Sequence, residues 1–510
     1  MGTQSEQSGQ GVNMDRAQAM AGLKEALLGG AVNSSPEAIG IFARDESAVG
    51  GEQPLTIVKP GSVDQLSAVV KWARASGTPL VPVSSGPPHY RGDTVLSRPG
   101  AIVDLSGFQK IIMVNRRNRV ALFEAGVGFA RLAGEARAAG LKAMLPLLPR
   151  PGKSALASYL EREPTIYPRY QWDLSDPLLC LEIVWGTGDV FRTGSAAGPG
   201  TLDQQWRAGE FQKSPMGPGQ NDWFRIVQGA QGSIAIATWC SAKCEARSRR
   251  EELFMIASSR LEPLIRAGYR LFHQKLTDIH FILDRNALVK LLAADASARS
   301  EAMKKAEPWY LVYSISGAVE LPEERLALFK KRAGKVLDSS GLKNGEPPLG
   351  TGEGLLKLLD GVSPEPYWKT RPSGGMREVF FQTTMEKAPR FIEVFGRLSK
   401  EAGIAEDRVA VYLQPQLGGR VCHLEFIVDY DPADQDRAAG INGFADGVAG
   451  PLIEAGAFFS RPYGAWAGPA MEAAGGSRAI YEKVKSIFDP DGILSPGRMD
   501  LGGGVGHGQA

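Results

Sequence analysis

One stretch of the chain places small, rigid and charged residues directly after an apolar run. Residues 79–93 read PLVPVSSGPPHYRGD, so a predicted strand leads straight into Ser84, Ser85 and Gly86. A strand that ends in small residues exposes consecutive backbone N–H groups, and such a concavity suits a phosphate or a pyrophosphate. The stretch also fits a tight, proline-stiffened turn that holds no ligand.

The two common nucleotide-binding signatures are missing. No Gly-Lys-Ser/Thr follows the stretch, so it is not a Walker loop. No G-x-G-x-x-G stands between a predicted strand and a helix, and the nearest match, GTGEG at 350–354, has no strand before it. A phosphate site here would depend on the strand end and on further small-residue segments, which recur at 152–158, 229–235 and 496–497.

A β–α–β unit precedes this loop and would position it. Residues 55–83 predict a strand, a helix and a strand. Ser62 and Gln65 form a capping box, residues 66–73 carry one apolar helical face, and Gly77 suits the helix end. A unit of this length implies a parallel pair of strands with a right-handed crossover.

Composition excludes several functional classes. A chain of 510 residues is longer than one core usually supports, so two domains are expected. The formal net charge of +2 gives no electrostatic footprint for nucleic acid, and no apolar run is long enough to cross a bilayer. The N-terminus lacks a secretory signal. Cys180, Cys240, Cys244 and Cys422 are too few and too scattered for a disulfide framework or a zinc site, so no metal is predicted.

Five segments, in this order, resemble the FAD-binding fold of the vanillyl-alcohol oxidase and 4-cresol dehydrogenase family. They are PVSSGPPHYRG, GKSALASYLERE with YPRY, CLEIVWGTGDVFRTG, GAQGSIA and FDPDGILSPGRM. The resemblance covers roughly residues 40–500. It implies an α+β fold, with a PCMH-type (p-cresol methylhydroxylase-type) FAD-binding domain of two subdomains and a cap domain whose antiparallel sheet is flanked by helices. The implied boundaries are a flexible leader 1–35, an FAD-binding domain 36–248, a cap 249–457, a returning segment 458–500 and a disordered tail 501–510.

The resemblance also assigns cofactor-binding residues. FAD would lie extended, with its pyrophosphate on the amides of Ser84 to Gly86 and its isoalloxazine toward the cap. The assigned residues are Pro82, Ser84, Ser85, Gly86, Pro87, Pro88, His89, Gly92, Ser154, Ala155, Ser158, Glu161, Tyr167, Gly229, Gly232, Ile234, Ala235 and Arg498.

Family members that attach the flavin covalently use a histidine that this chain does not match. In one branch the histidine aligns with Pro88, and His89 is one position away, which turns its side chain from the target. In the other branch the histidine precedes a Phe-Phe pair in the cap, where this chain has Glu378, and Tyr367 is near but not aligned. The resemblance therefore predicts FAD held without a covalent bond.

The segment FFSRPYGAW resembles the one in which a Tyr-Arg pair grips a substrate phenolate. Arg461 matches the arginine, Ser460 replaces the tyrosine, and Tyr463 or Tyr90 would substitute for it. A second phenolate-binding tyrosine of the family aligns with Arg91, and a guanidinium there indicates a carboxylate or a more anionic substrate. The alternative for Arg461 is a salt bridge at the surface or between domains.

His423 is the candidate base or hydrogen-bond donor. It stands on an alternating strand near the family's histidine-bearing cap strand, and Glu425 on the same face would orient it. Otherwise His423 is a core histidine. Glu378 lies near the flavin if the cap alignment holds. The acidic residue that some relatives place beside flavin N5 aligns with Pro149 or Arg150, so that role is unfilled.

The leading hypothesis is an FAD-dependent oxidoreductase that removes a hydride from an alcohol, a hydroxy acid or a benzylic or phenolic substrate. One alternative is a D-2-hydroxy-acid dehydrogenase of the same fold, although its usual pair of metal-binding histidines is missing. A second is a structural flavin-binding subunit whose chemistry occurs in a partner, and a third is a β-rich module without flavin. Free buried thiols predict a reducing cytoplasm. The predicted assembly is a homo-oligomer, a dimer, and the resemblance implies an electron-acceptor protein or cytochrome as a partner.

Overall fold

The computed structural model describes residues 22–24, 27, 31–43, 45–47, 49–209, 212–317 and 320–501. Its named strands form three sheets flanked by helices, which confirms the predicted mixed fold class. In chain order the strands are β1 Ala31–Asn33, β2 Thr56–Lys59, β3 Leu80–Val83, β4 Ala101–Asp104, β5 Ile111–Asn115, β6 Val120–Glu124, β7 Leu141–Ala143, β8 Leu178–Trp185, β9 Val190–Arg192, β10 Ala235–Ala246, β11 Glu251–Ser258, β12 His280–Asp284, β13 Trp309–Ser316, β14 Gly375–Thr383, β15 Val409–Gln416 and β16 Val421–Tyr430.

The α-helices pack on these sheets. They are α1 Pro36–Phe42, α2 Val63–Ser76, α3 Phe129–Ala138, α4 Ala155–Leu160, α5 Leu202–Arg207, α6 Leu261–His273, α7 Arg285–Leu292, α8 Ala296–Lys305, α9 Pro322–Asp338, α10 Gly352–Leu359, α11 Ala388–Glu401, α12 Gln435–Gly447, α13 Ala449–Glu454, α14 Ala467–Ala473 and α15 Ser477–Phe488.

The first sheet, in the order β1-β2-β4-β3, contains the predicted β–α–β unit. Ser62 Oγ accepts the N–H of Gln65 at the start of α2, and Gly77 ends the helix at φ 65°. The two strands of the unit are parallel but not neighbours, because β4 lies between them and pairs in parallel with both. The capping box is half formed, since the Gln65 side chain accepts from the N–H of Gly61 instead of Ser62.

Strand β1 lies inside the segment predicted as a flexible leader. It pairs antiparallel with β2, and Ser34 Oγ donates to Thr56 Oγ1 at 2.9 Å. The leader prediction is therefore wrong for residues 31–34, because this pairing uses the backbone groups at the edge of β2. Residues 1–21 of the predicted leader and 502–510 of the predicted tail lie outside the described residues.

The second sheet is antiparallel, in the order β5-β6-β10-β8-β9, with β7 also on β10. Strands β5 and β6 form a hairpin across residues 116–118, and β8 and β9 form another across residues 186–189. Strand β10 begins at Ala235. The segment before it is irregular because Gly229 and Gly232 adopt positive φ, which interrupts a strand.

The third sheet is antiparallel, in the order β11-β13-β12-β15-β16-β14, and buries both faces. Along β13, Leu311 and Tyr313 pack in a core that also contains apolar residues of α6, α9 and α11. Tyr310 and Val312 belong instead to the core that the first two sheets share. This alternation places one face of the third sheet against the first two sheets, where the functional site lies.

Two further features limit the chemistry. All four cysteines are buried and unpaired, as predicted. No helix in the described part of the chain combines the length and the apolar character needed to span a membrane.

Candidate active site

A cleft with about 950 Å³ of empty space, open solvent included, lies at the end of β3. Strand β3, helix α4, residues 227–237 and the returning chain around Ser495 form its walls. The predicted cofactor residues that line this cleft are Pro82, Ser84, Ser85, Glu161, Gly229, Gly232, Ala235 and Arg498.

The cleft wall depends on residues without bulk. Gly232 has φ 73°, and a Cβ placed on it would lie 2.8 Å from Pro82 Cγ. Ser495 Oγ is buried at the same wall and has no hydrogen-bond partner among the described residues. A narrow wall of glycine and serine with an unpartnered hydroxyl fits a polar, extended ligand such as FAD.

The loop at residues 84–86 contributes differently from the sequence prediction. The N–H of Gly86 donates to the carbonyl of Gly152 at 2.9 Å, so it is not available to a pyrophosphate. The N–H of Ser154 donates to Ser85 Oγ, and the Ala155 N–H donates to the carbonyl of Val127. These bonds fix two loops to each other, and Ser84 and Ser85 remain as the part of the loop that lines the cleft.

Several of the predicted cofactor-binding residues do not line the cleft. His89 is buried with its ring 5.4 Å from that of Phe42, and both of its ring nitrogens lack partners among the described residues. Ser158 Oγ donates to the carboxylate of Glu163. The others that do not line the cleft are Gly86, Pro87, Pro88, Gly92, Ser154, Ala155, Tyr167 and Ile234.

A second cavity, with about 660 Å³ of empty space, adjoins the cleft, and both are lined by Arg91, Asp93 and Arg461. Five of the six predicted catalytic residues line this second cavity: Tyr90, Arg91, Glu378, His423 and Arg461. The sixth, Tyr463, lines the first cleft. The third sheet supplies the far wall through β14, β15 and β16.

Arg91 is held by three carboxylates. Its Nε donates to Glu378 at 2.9 Å, and its Nη1 donates to Glu161 at 3.1 Å and to Glu163. Burial disfavours the charge, but Glu378 and the other two acids outweigh it and raise the pKa of Arg91 well above its ordinary value. With these partners in place, Arg91 is not the free guanidinium that the sequence suggested for a substrate carboxylate.

Lys369 extends this network into the cavity wall. Its Nζ donates to Glu378 at 2.6 Å and also contacts Glu425. Burial opposes the charge, and the two carboxylates overcome it, so the pKa of Lys369 is raised. Burial likewise opposes ionisation of Glu378, but Arg91 and Lys369 hold its pKa well below the ordinary value. Sequence reasoning missed Lys369, which stands in no recognisable motif.

His423 and Glu425 project from the same face of β16 into the cavity. His423 Nε2 lies 3.0 Å from Glu425 Oε2, and a carboxylate can only accept, so Nε2 carries the proton. Nδ1 is then the acceptor of a long hydrogen bond, 3.4 Å, donated by Nη2 of Arg461. Burial, with a smaller contribution from Arg461, lowers the pKa of His423 to about 4. The imidazole is therefore neutral and can accept a proton.

Arg461 faces both the cleft and the cavity. Its guanidinium carbon lies 4.3 Å from the centre of the Phe380 ring, which fixes the side chain by a cation–π contact. Its Nη1 is buried without a partner among the described residues. A donor left unsatisfied at the junction of two cavities is available to a ligand oxygen.

The two candidate tyrosines keep their protons. Burial raises the pKa of Tyr90 to about 12 and that of Tyr463 well above its ordinary value. Tyr90 lies under the guanidinium of Arg150, whose carbon is 4.8 Å from the ring centre. Both phenols are therefore hydrogen-bond donors at neutral pH.

No group of three or more His, Cys, Asp or Glu side chains suited to a metal ion occurs in the described ranges.

Comparison with known proteins identifies the cofactor. Residues 54–194 match the family model of an FAD binding domain. A D-2-hydroxyglutarate dehydrogenase from Xanthomonas citri pv. viticola is 22% identical over 303 residues, which are 59% of this chain and 59% of that protein. A 1'-carboxy-chondrochloren decarboxylase from Chondromyces crocatus is 25% identical over 46% of this chain and 42% of the relative. The chain thus spans less than two thirds of these relatives.

Solved structures match over nearly the whole chain. A p-cresol methylhydroxylase with substrate bound has a TM-score of 0.78 at 17% identity, covering 95% of this chain and 96% of that chain. A 4-ethylphenol oxidase from Gulosibacter chungangensis, in complex with isoeugenol, has a TM-score of 0.76 at 18% identity, covering 95% and 97%. The protein therefore has the PCMH-type fold, and residues 54–194 form an FAD-binding domain.

Proposed function

We propose that the protein is an FAD-dependent oxidoreductase that removes a hydride from an alcohol, a hydroxy acid or a benzylic carbon. The observation that carries the proposal is the junction at Arg461. There a cleft of the FAD-binding domain meets a buried cavity that contains a neutral histidine oriented by a carboxylate. When bound, FAD would accept the two electrons. Proton removal and charge stabilisation are carried out by side chains of this chain.

Proton removal is assigned to His423. Oxidation of a carbinol to a carbonyl removes one proton and one hydride. Nδ1 of His423 takes the proton from the substrate oxygen, in place of its 3.4 Å hydrogen bond from Nη2 of Arg461. The imidazolium that forms remains hydrogen bonded to Glu425, which holds the ring through Nε2. Lys369, in turn, contacts Glu425 and keeps that carboxylate in place.

Charge stabilisation is assigned to Arg461. Its unpartnered Nη1 is buried, so a hydrogen bond from it to the developing alkoxide is stronger than it would be in water. The cation–π contact with Phe380 fixes the guanidinium before substrate binds, which reduces the reorganisation needed during the reaction. For a phenolic substrate the same donor would bind the phenolate oxygen.

The structure is compatible with FAD held without a covalent bond. His89 does not line the cleft, because its ring packs on Phe42 in the core. Glu378, at the other family attachment position, is engaged by Arg91 and Lys369. Both observations support the non-covalent proposal.

A D-2-hydroxy-acid dehydrogenase is the second candidate. Two of the curated relatives, from Xanthomonas citri pv. viticola and Stutzerimonas stutzeri, are named D-2-hydroxyglutarate dehydrogenases. The cations of the second cavity favour an anionic substrate and are consistent with this class. It differs from the first proposal only in substrate, and it uses the same roles for His423 and Arg461.

Anaerobic reduction of the flavin tests the proposal. The FAD-loaded protein is mixed without oxygen with a panel containing a 2-hydroxy acid, a primary alcohol and a 4-alkylphenol, and loss of visible flavin absorbance is followed. We expect at least one class to bleach the flavin, and we expect the His423→Asn variant to retain FAD but bleach far more slowly. A flavin that no member of the panel bleaches would favour a structural subunit.

A further inference from the structure

Five cationic side chains line the second cavity, and they fall into two groups. They are Arg91, Arg150, Lys153, Lys369 and Arg461. Arg91, Lys153 and Lys369 each form an ion pair with at least one glutamate. For Arg150 and Arg461, no Asp or Glu of the described chain lies within ion-pair distance. The roles proposed above use Arg461 but leave Arg150 unexplained.

Arg150 is both buried and fixed. The residue is 8% exposed. Its Nη1 donates to the carbonyl of Pro88 and, at 3.5 Å, to that of Gly86, while the guanidinium covers the Tyr90 ring. Nε and Nη2 have no hydrogen-bond partner in the residues that the structure describes. The guanidinium is thus anchored on one side and open on the side of the cavity.

Little of Arg150 reaches solvent, and no described residue supplies a counter-charge, so its positive charge is not compensated within the chain. A carboxylate is the ligand that best compensates it, since its two oxygens match the geometry of the guanidinium donors. The same cavity is also lined by Leu147, Pro149 and Met376, which can contact an apolar frame attached to the carboxylate.

We propose that Arg150 binds a carboxylate of the substrate, separate from the oxygen that Arg461 and His423 handle. The substrate class is then a carboxylic acid that also carries the oxidisable hydroxyl or benzylic carbon. This inference rests on the proposed function only in taking the second cavity as the substrate site. Arg150 therefore determines specificity.

Calorimetric titration of the FAD-loaded full chain tests the inference without turnover. The acid probes are benzoate and hexanoate, and the neutral controls are benzamide and hexanamide, so aromatic and aliphatic frames are compared at once. We expect each acid that fits the cavity to bind more tightly than its amide. The acid that binds shows whether the substrate carries its carboxylate on an aromatic or an aliphatic frame. Equal binding of acid and amide for both frames would overturn the proposal.

Variants assign the effect to Arg150. In Arg150→Gln we expect the dissociation constant of the preferred acid to rise about 10- to 100-fold, as loss of a charge-assisted hydrogen bond implies, with little change for the amide. Arg150→Lys should keep part of the preference for the acid, because it keeps the charge. Arg117→Gln, which removes an exposed arginine, should change neither constant.

Folding and the proposed function are controlled separately. FAD content and circular dichroism of each variant show whether the loop that Arg150 anchors is intact. If Arg150→Gln loses FAD, the FAD-loaded Arg150→Lys variant is used instead, and its affinity for the acid is divided by its affinity for the amide. A ratio below that of the parent supports the proposal, and an unchanged ratio overturns it. Failure of the anaerobic bleaching assay, with carboxylate binding intact, would reject the oxidoreductase proposal and leave Arg150 as an anion site.

Discussion

The cleft and the cavity that meet at Arg461 are built from different groups. The cleft is lined mainly by small and apolar residues at strand and helix ends, with Gly232 close against Pro82. The cavity is lined by charged side chains that hold one another, such as Glu378 between Arg91 and Lys369. The shape of the cleft suits a large cofactor, whereas the charged side chains of the cavity suit a reaction.

This difference predicts how the two regions respond to substitution. A change in the cleft should affect cofactor binding and leave the charges of the cavity intact. A change in the cavity should affect the reaction, or the stability of the fold, because each charge there is the partner of another. The following predictions test that separation, from the largest expected effect to the smallest.

The largest effect should come from His423→Asn. The substitution removes the neutral imidazole that accepts the proton, so we expect the rate of flavin reduction by substrate to fall about 10²- to 10⁴-fold. Stopped-flow absorbance under anaerobic conditions measures this rate. FAD content should not change, since His423 does not line the cleft. An unchanged rate would remove His423 from the mechanism.

The pH profile of flavin reduction sharpens the same assignment. Burial lowers the pKa of His423 to about 4, and only the unprotonated ring can accept a proton. The rate should therefore be constant through the neutral range and fall only as the pH falls toward about 4. A decline centred near the ordinary histidine value of 6.5 would show that the base is a more exposed group.

Glu378→Gln should destabilise the fold, because it leaves Arg91 and Lys369 short of a buried counter-charge. We expect the free energy of unfolding, measured with denaturant at pH 7, to fall by about 3 kcal/mol. The folded-state pKa of Glu378 lies below the unfolded value of 4.5. Its contribution is therefore present above pH 4.5, and the difference between parent and variant should shrink as the pH falls below it.

The matched control for that experiment is Glu301→Gln. Glu301 pairs with Lys305 at the surface of α8, where solvent screens the interaction. Its loss should leave the denaturation midpoint unchanged. Equal effects of the two substitutions would mean that the cavity network contributes no more than a surface pair.

Gly232→Val should weaken FAD binding. A β-branched residue at φ 73° is strained, and its Cβ would approach Pro82 Cγ at 2.8 Å. We expect the dissociation constant for FAD, from fluorescence titration of the apoprotein, to rise at least about tenfold. Gly107→Val is the control, since Gly107 is exposed with open space around it. Unaltered FAD affinity would place the cofactor elsewhere.

Sequence reasoning predicted local features of the site better than contacts between distant segments, and the reason is physical. Strand ends and glycine turns are local, so residues 55–83 fold as their pattern indicates, and Ser84 and Ser85 reach the cleft. Hydrogen bonds between distant loops are not local, which is why Gly86 was assigned a free amide that Gly152 in fact occupies.

The charged contacts of the cavity could be identified in full only from the tertiary structure. His423 and Glu425 share a strand face, and alternation alone placed them together. Lys369 contacts Glu425 from 56 positions away in the chain, and no spacing in the sequence indicates this contact. The same holds for Arg91, whose carboxylate partners come from two distant segments.

The absorbance spectrum of the purified protein, before and after acid precipitation, tests the central claim most directly. The account predicts a flavin spectrum for the native protein and release of the yellow cofactor into the supernatant on precipitation. A protein that stays colourless after FAD is supplied would contradict the assignment of the cleft, and a yellow pellet would contradict non-covalent binding.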